Sequence, residues 1–226
     1  MYIIILGGGL IGKGLTKALV EAKHDVVVID KNSEVCEEIY ANYGAISING
    51  DGTKISTLKN AHIDKCDVAI GVTPDDSINL SFTILAKHFK VPQIMVKMSD
   101  PAYEDVYKYM GVTNIARATQ LLIDQFLVNI ESPELRKVIS IGNLVINIIN
   151  VPENSEYDGK KVLDLVRTPG FPEKVTITAI YKEGKKTFIA PRGYDIINSK
   201  DRIFLCGEKK DMKKAAKIIT KNIKKD

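Results

Sequence analysis

The sequence predicts a doubly wound parallel α/β sheet followed by a small α+β domain. Three observations predict it. Short apolar runs in the first half alternate with helical stretches at regular spacing, a glycine-rich turn joins the first run to the first helix, and the period changes from about Val138 onward.

Tyr2-Ile3-Ile4-Ile5-Leu6 is the first run, the pattern of a strand covered on both faces in a parallel sheet. Gly7, Gly9 and Gly12 follow it as Gly-x-Gly-x-x-Gly, and a helical stretch runs from about Ile11 to Ala22. Val26-Val27-Val28-Ile29 is the second strand and ends on Asp30, 18 residues past Gly12. Strand, glycine turn, helix, strand and terminal acid in that register form a nucleotide-binding pattern of the Rossmann kind. Gly7 permits the tight turn, Gly9 lets backbone approach phosphates, and Gly12 lets the helix pack close to the strand. The helix N-terminus offers free N–H groups and the positive end of its dipole. Asp30 can accept hydrogen bonds from both ribose hydroxyls and would repel a 2′-phosphate.

Asn32 or Ser33 can cap a second helix reaching about Tyr43, with Glu34, Glu37 and Glu38 near its N-terminus. Ala45-Ile46-Ser47-Ile48 is a short strand leading into Asn49-Gly50-Asp51-Gly52-Thr53, a turn on the ligand side of an open α/β sheet. A helix from about Ile55 to Ala61 precedes the strand Val68-Ala69-Ile70-Gly71-Val72. Thr73-Pro74-Asp75-Asp76 then opens a helix from about Ser77 to Phe89. Ile94-Met95-Val96-Lys97 is the next strand, and Ala102 to Met110 the next helix.

From Thr119 to about Ile130 the pattern is helical, with Leu122, Phe126 and Ile130 in one stripe and Leu121, Ile123 and Leu127 broadening it. So much apolar surface beside a domain boundary predicts a helix shared with a second subunit. Ser132-Pro133-Glu134 breaks it or starts a second short helix. Val138 to Val151 is β-rich, Lys160 to Val166 can form a helix, and Val175 to Tyr181 alternates. Lys182-Glu183-Gly184-Lys185 makes a hairpin-like turn before Thr187-Phe188-Ile189. Arg202 to Gly207 is a last strand, and Lys210 to about Asn222 a last helix. The expected division is 1–117 for the nucleotide-binding domain, 118–137 for crossover and dimerisation helices, and 138–222 for the C-terminal domain.

Of the 226 residues, 45% are hydrophobic and 27% charged, ordinary for a water-soluble globular protein. No stretch approaches the roughly 20 consecutive apolar residues of a membrane span. Met1 leads straight into the first strand, so no leader peptide and a cytoplasmic location are expected. Cys36, Cys66 and Cys206, like His24, His62 and His88, are scattered without metal-type spacing, so no metal site is expected. The net charge of +4 does not point to nucleic acid. Residues 209–226 hold eight lysines and two aspartates, which leaves −2 on the rest. The basic stretch has Met212, Ala216, Ile219 and Ile223 at helical spacing, the pattern of a helix with a solvated face.

With both halves laid out, the chain resembles the RCK proteins, regulators of potassium conductance, of the TrkA/KtrA type found as regulatory subunits of potassium uptake systems. The first half does so through Ile5 to Gly12, Val28-Ile29-Asp30, Asn49 to Thr53, Val72 to Asn79 and Lys97. The second does so through Asp158 to Leu163, Ile180 to Lys185 and Asn198 to Gly207. The resemblance implies a Rossmann-like N-lobe and a small C-lobe, a homodimer, and often four dimers in an octameric ring. It also implies a location at the inner face of the plasma membrane, beneath a separate Trk/Ktr-type potassium-translocating subunit. It places the ligand on Gly7, Gly8, Gly9, Leu10, Ile11, Gly12, Asp30 and Lys31, with Asp51, Gly52, Thr53, Thr73, Pro74, Asp75 and Lys97 lining the rest of the cleft. Two departures stand out: Leu10 replaces a basic residue found in ATP-binding members, and Thr119 replaces a Glu that helps hold a divalent cation in some. Both weaken the case for γ-phosphate and divalent-cation regulation and leave NAD(H), ADP or AMP as the expected ligand, with ATP behind them. NAD(H) comes first because Asp30 suits an unphosphorylated ribose.

Two rival classes fit less well. A small nicotinamide-dependent oxidoreductase needs a proton-moving group beside the cofactor. Tyr-x-x-x-Lys occurs at Tyr157/Lys161 and Tyr181/Lys185, yet both segments contain a glycine turn where a rigid helix is required. Asp75 and Asp76 could form a paired-carboxylate site, although a helix start attracts acids in any case. A DNA-binding redox sensor needs a basic recognition helix with a partner helix, and the basic terminal helix follows a strand instead.

Overall fold

The computed structural model describes residues 1–112, 114–131 and 134–221, which fall into two compact units divided between Leu122 and Ile123. The first unit carries β1 (Tyr2–Leu6), α1 (Leu10–Glu21), β2 (Asp25–Asp30), α2 (Ser33–Tyr43), β3 (Ile46–Asn49) and α3 (Ile55–Asn60). It continues with β4 (Val68–Gly71), α4 (Asp76–His88), β5 (Gln93–Met98), α5 (Glu104–Tyr109) and β6 (Asn114–Arg117). The strands pair in parallel in the order β3-β2-β1-β4-β5-β6, so the direction of winding reverses between β1 and β4.

Strand β1 shows how the sequence builds both layers. Its side chains alternate between faces. Ile3 and Ile5 pack in one core with Val26, Val28 and Ile39, while Ile4 and Leu6 pack in the other with Val27, Leu58 and Phe82. Fully burying each such side chain contributes about 1.5–3 kcal/mol, which is why a strand without a polar residue suits the centre of the sheet.

The sequence reading missed β6. Asn114-Ile115-Ala116-Arg117 is short and polar at both ends because it is paired on one side only, to β5. Arg117 ties this strand to α5 through Nε to Glu104 Oε2 at 3.0 Å and Nη2 to Glu104 Oε1 at 2.7 Å. The helix expected over Ala102 to Met110 is split. A 3-10 turn, Pro101–Tyr103, comes first, with the Asp100 carboxylate accepting from Ala102 N at 2.9 Å, and α5 follows.

The division between units falls inside α6 (Ala118–Glu131). The second unit continues with β7 (Leu135–Ile141), β8 (Leu144–Asn150), α7 (Val162–Val166), β9 (Val175–Lys182), β10 (Thr187–Ile189), β11 (Arg202–Glu208) and α8 (Lys209–Ile219). Its antiparallel sheet runs β10-β9-β11-β8-β7. The β-rich stretch from Val138 is therefore a hairpin whose first strand starts earlier, at Leu135, and turns at Gly142 with φ +58°. The expected break at Ser132-Pro133 and the end of the last helix at Asn222 and Ile223 lie outside the described residues.

Helix α8 buries Met212, Ala215, Ala216 and Ile219 in this unit's core and leaves its lysines exposed, as its periodicity predicts. A buried ion pair, Lys182 with Asp201, knots the turns around β9 and β11. Lys182 Nζ also donates to Ile196 O at 2.8 Å, and Asn198 N donates to Asp201 Oδ2 at 2.8 Å.

Candidate functional site

A cleft of about 610 Å³ opens at the C-terminal ends of β1 and β4, where the strand order reverses. The glycine turn forms its floor. Gly7 has φ +104°, a conformation L side chains rarely adopt, and its N–H donates to Ile29 O at 2.9 Å. A Cβ on Gly12 would lie 2.9 Å from the Gly7 carbonyl carbon and fall onto its oxygen, so the start of α1 sits directly on the turn. At Gly9 a Cβ would meet nothing within 4 Å, because this backbone faces open space. Gly9 is also the N-cap of α1, without a side-chain cap and without an acid in the first turn. The first intrahelical bond is Lys13 N to Gly9 O at 2.8 Å, which leaves the N–H groups of Leu10, Ile11 and Gly12 without helical partners.

Asp30 does more than the sequence suggests. Its Oδ2 accepts from Gly8 N at 2.6 Å and its Oδ1 from Asn32 N at 2.9 Å, so the carboxylate braces the glycine turn and the start of α2 together. Each carboxylate oxygen keeps a further lone pair, and Asp30 still lines the cleft. Asp51 faces it from the turn after β3. Its Oδ1 accepts from Thr53 N at 2.9 Å and from Thr53 Oγ1 at 2.7 Å, and Lys31 Nζ stands 3.3 Å from Oδ2. These donors, Thr53 foremost and Lys31 after it, hold the carboxyl down at about 2.

Of the expected site residues, Gly7, Gly9, Leu10, Ile11, Asp30, Lys31, Asp51, Gly52, Thr73, Pro74 and Lys97 are brought together around the cleft. Gly8, Gly12, Thr53 and Asp75 are not among the residues that line it. Gly8 is a packing position, since a Cβ there would press on Val35 and Ile39 at 2.6 and 2.8 Å. Thr53 holds Asp51. Asp75 caps α4 by accepting from Ser77 N at 2.7 Å and from Ser77 Oγ at 2.6 Å. Asp76 makes no pair with it: its carboxylate accepts from Ser99 N and from Asp100 N, the latter at 2.7 Å.

The sequence reading left Asn79 out of the site. It is fully buried, and its Oδ1 accepts from Thr73 N at 3.0 Å and Thr73 Oγ1 at 2.8 Å. Its Nδ2 donates to Thr73 O at 3.1 Å and Lys97 O at 3.3 Å. One amide thus fixes the turn after β4 to the C-terminal end of β5. The signal was legible as a polar residue on the buried stripe of α4, in step with Phe82, Thr83 and Ala86. Asn32, Val35 and Ile78 also line the cleft.

The residue types suit a nucleotide: an open, uncapped helix N-terminus for phosphate, a carboxylate beside it for ribose, and apolar walls from Leu6, Ile29, Val35 and Val72 for a base. Residues 3–118 match the TrkA-N domain model and residues 147–220 the TrkA-C domain model. The chain belongs to the TrkA family.

Among its relatives is the Trk system potassium uptake protein TrkA homolog of Methanothermobacter thermautotrophicus. It is 30% identical over 81% of this chain and 84% of that protein. The homolog of Pyrococcus horikoshii is 29% identical over 99% of each. Another, from Archaeoglobus fulgidus, is 28% identical, and there this chain spans 48% of the longer relative. Among solved structures, the fold resembles the GsuK channel bound to NAD, with a TM-score of 0.67 at 17% identity over 100% of this chain and 40% of that one. The GsuK RCK domain aligns with a TM-score of 0.66.

Among the described residues no helix is long and apolar enough to cross a membrane, and no group of three or more His, Cys, Asp or Glu could hold a metal ion. The Tyr157/Lys161 pair is committed elsewhere: Tyr157 is buried with its hydroxyl 2.9 Å from Thr168 Oγ1, and Lys161 is the N-cap of α7.

Proposed function

We infer that this chain is a nucleotide-switched regulatory subunit of a Trk/Ktr-type potassium transport system, with NAD(H) as its first ligand and ADP, AMP or ATP behind it. The open N-terminus of α1 beside Asp30 carries this reading. It is supported by relatives named for potassium uptake and by structural neighbours solved with NAD and with ADP. Phosphates would lie over Gly9 and the N–H groups of Leu10 and Ile11, and the ribose hydroxyls on Asp30. The base would rest among the apolar walls, with Lys31, Asp51, Gly52, Thr73, Pro74 and Lys97 completing the enclosure.

Such a ligand acts by binding two arrangements of the assembly with different affinity. Helix α6 gives the assembly a surface: Leu122, Phe126 and Ile130 are 61%, 63% and 77% exposed, while Val128 packs into the second unit's core. We assign that stripe to a second copy of the chain, in a homodimer and from dimers a ring beneath the membrane subunit. Phe126→Glu is expected to give a folded monomer that still binds nucleotide, because aromatic anchors carry disproportionate interface energy. Sedimentation of both proteins at low and high concentration checks it, and unchanged mass in the variant would discard this surface.

The ligand is tested by mass spectrometry of nucleotide released from the denatured protein, followed by calorimetry with NAD⁺, NADH, ADP, AMP and ATP. NAD(H) is expected to bind tightest. Absence of binding by all five would sink the reading.

A further inference from the structure

The second unit contains a separate small cavity, about 160 Å³, whose wall mixes apolar Leu127 and Val145 with Asp124, Lys137, Asn147 and Lys209. Asn147 is the unusual member. It is 5% exposed and alternates along β8 with the core residues Val145 and Ile149, yet its carboxamide oxygen has no hydrogen-bond partner. An unpaired buried acceptor bears its full desolvation cost, and an apolar side chain of similar size would avoid it. Beside it Lys137 Nζ donates to Asp124 Oδ2 at 2.7 Å, and the pair is largely withdrawn from solvent at 16% and 29% exposure.

We propose that this cavity binds a small zwitterion carrying N–H donors, namely an α-amino acid with a short side chain. Asn147 lacks a donor, which an ammonium group supplies. Asp124 offers that ammonium its counter-charge, and Lys137 and Lys209 offer theirs to a carboxylate. A bare cation would face two lysines. A simple carboxylate would face Asp124 and leave Asn147 unpaired. At about 30 Å³ per water, the space holds roughly five waters, so glycine or alanine fits with room for water beside it, and the alanine side chain would meet Leu127 and Val145. The wall draws on α6, the β7–β8 hairpin and the start of α8, so occupancy ties these elements of the unit together. This inference stands independently of the nucleotide cleft.

The test is calorimetry and thermal melting of the full chain with glycine and L-alanine. Acetate, methylammonium and trimethylglycine serve as probes lacking the ammonium, the carboxylate and the N–H donors respectively. Glycine or L-alanine is expected to bind and to raise the melting temperature, with each control weaker by about tenfold or more. Asn147→Leu should abolish binding while leaving the melting temperature of the free protein equal or higher. Lys209 is exposed, so Lys209→Met should fold normally and bind about tenfold more weakly, and it decides the matter if Asn147→Leu fails to fold. No response to glycine or L-alanine would mean that water alone fills the cavity. That result, equal binding of trimethylglycine, or full binding by Lys209→Met would overturn the proposal.

Discussion

Helices α1 and α4 start from equivalent places, each after a strand that borders the point where the sheet reverses, yet their first turns are built in opposite ways. At α1 the N-cap is Gly9, with no capping side chain and no acid in the first turn. At α4 the Asp75 carboxylate accepts from Ser77 N at 2.7 Å and Ile78 N at 3.4 Å, and the Asp76 carboxylate accepts from the backbone after β5. Hydrogen bonds from Ser77, the largest influence, hold the Asp75 carboxyl below its ordinary range. A side-chain cap in place of Gly adds only a few tenths of a kcal/mol, so α1 forgoes little stability by keeping its N–H groups open. Each helix start offers backbone N–H groups; at α1 they are left open, which suits the proposed phosphate seat, and at α4 side chains close them into a joint.

The largest effect is expected from Gly12→Ala. The added methyl would land on the Gly7 carbonyl, a backbone atom that cannot step aside without moving β1 and α1 apart. A loss of about 3 kcal/mol or more is expected from such overpacking, together with loss of nucleotide binding. Urea denaturation measures the first and calorimetry the second; wild-type values in both would show that the turn is looser than drawn.

Gly9→Asp converts the open end into a closed one and so inverts the contrast with α4. A Cβ at Gly9 meets nothing within 4 Å, and the residue's φ of −67° suits any side chain. The variant should melt at or slightly above the wild-type temperature, because a charged cap supports the helix. Its carboxylate would occupy the phosphate position, and nucleotide affinity should fall by about a hundredfold, near 2.7 kcal/mol. Calorimetry with NAD(H) is the check, and retained affinity would place the phosphates elsewhere.

How much of this was legible beforehand follows from where the information resides. The roles of Gly7 and Gly12 are local, set by a turn and a helix contact a few residues apart, and the sequence pattern predicts both. The central strands were legible because burial on two faces leaves no room for polar residues, whereas β6 was hidden because an edge strand tolerates Asn114 and Arg117. The bracing of Gly8 by Asp30 and the cross-tie of Asn79 join segments distant in the chain, and no spacing rule encodes such contacts. Asp75 was grouped with the cleft through the family resemblance, and no sequence pattern shows that its carboxylate is bonded to Ser77 as the cap of α4.

Asp75→Ala tests the closed end. Removing the cap frees the N–H groups of Ser77 and Ile78, and a drop of about 2–4 °C in melting temperature is expected for a chain of this size. Because Asp75 does not line the cleft and its carboxylate is bonded to Ser77, nucleotide affinity should change by less than about threefold, within roughly 0.6 kcal/mol. A large loss of affinity would show that the end of α4 is a ligand seat as well.

The smallest effect concerns Asp51, which both lines the cleft and serves as a joint. Its carboxyl is held at about 2, with the Thr53 hydroxyl as the leading cause and Lys31 behind it. A folded-state value below the unfolded one means that this interaction contributes stability above the unfolded value of about 3.8. That contribution is lost as pH falls from there through about 2. A carboxyl carbon NMR titration of the free protein should therefore place the Asp51 midpoint near 2. Thr53→Val removes the hydroxyl while keeping the backbone N–H, so the midpoint should rise toward the ordinary carboxylate range. Lys31 is 60% exposed and 3.3 Å away, so Lys31→Met should move it less. If Lys31→Met moved the midpoint more than Thr53→Val, charge rather than the turn would govern Asp51. It would then be poised toward the cleft, like the open end of α1, instead of being spent on local structure like Asp75.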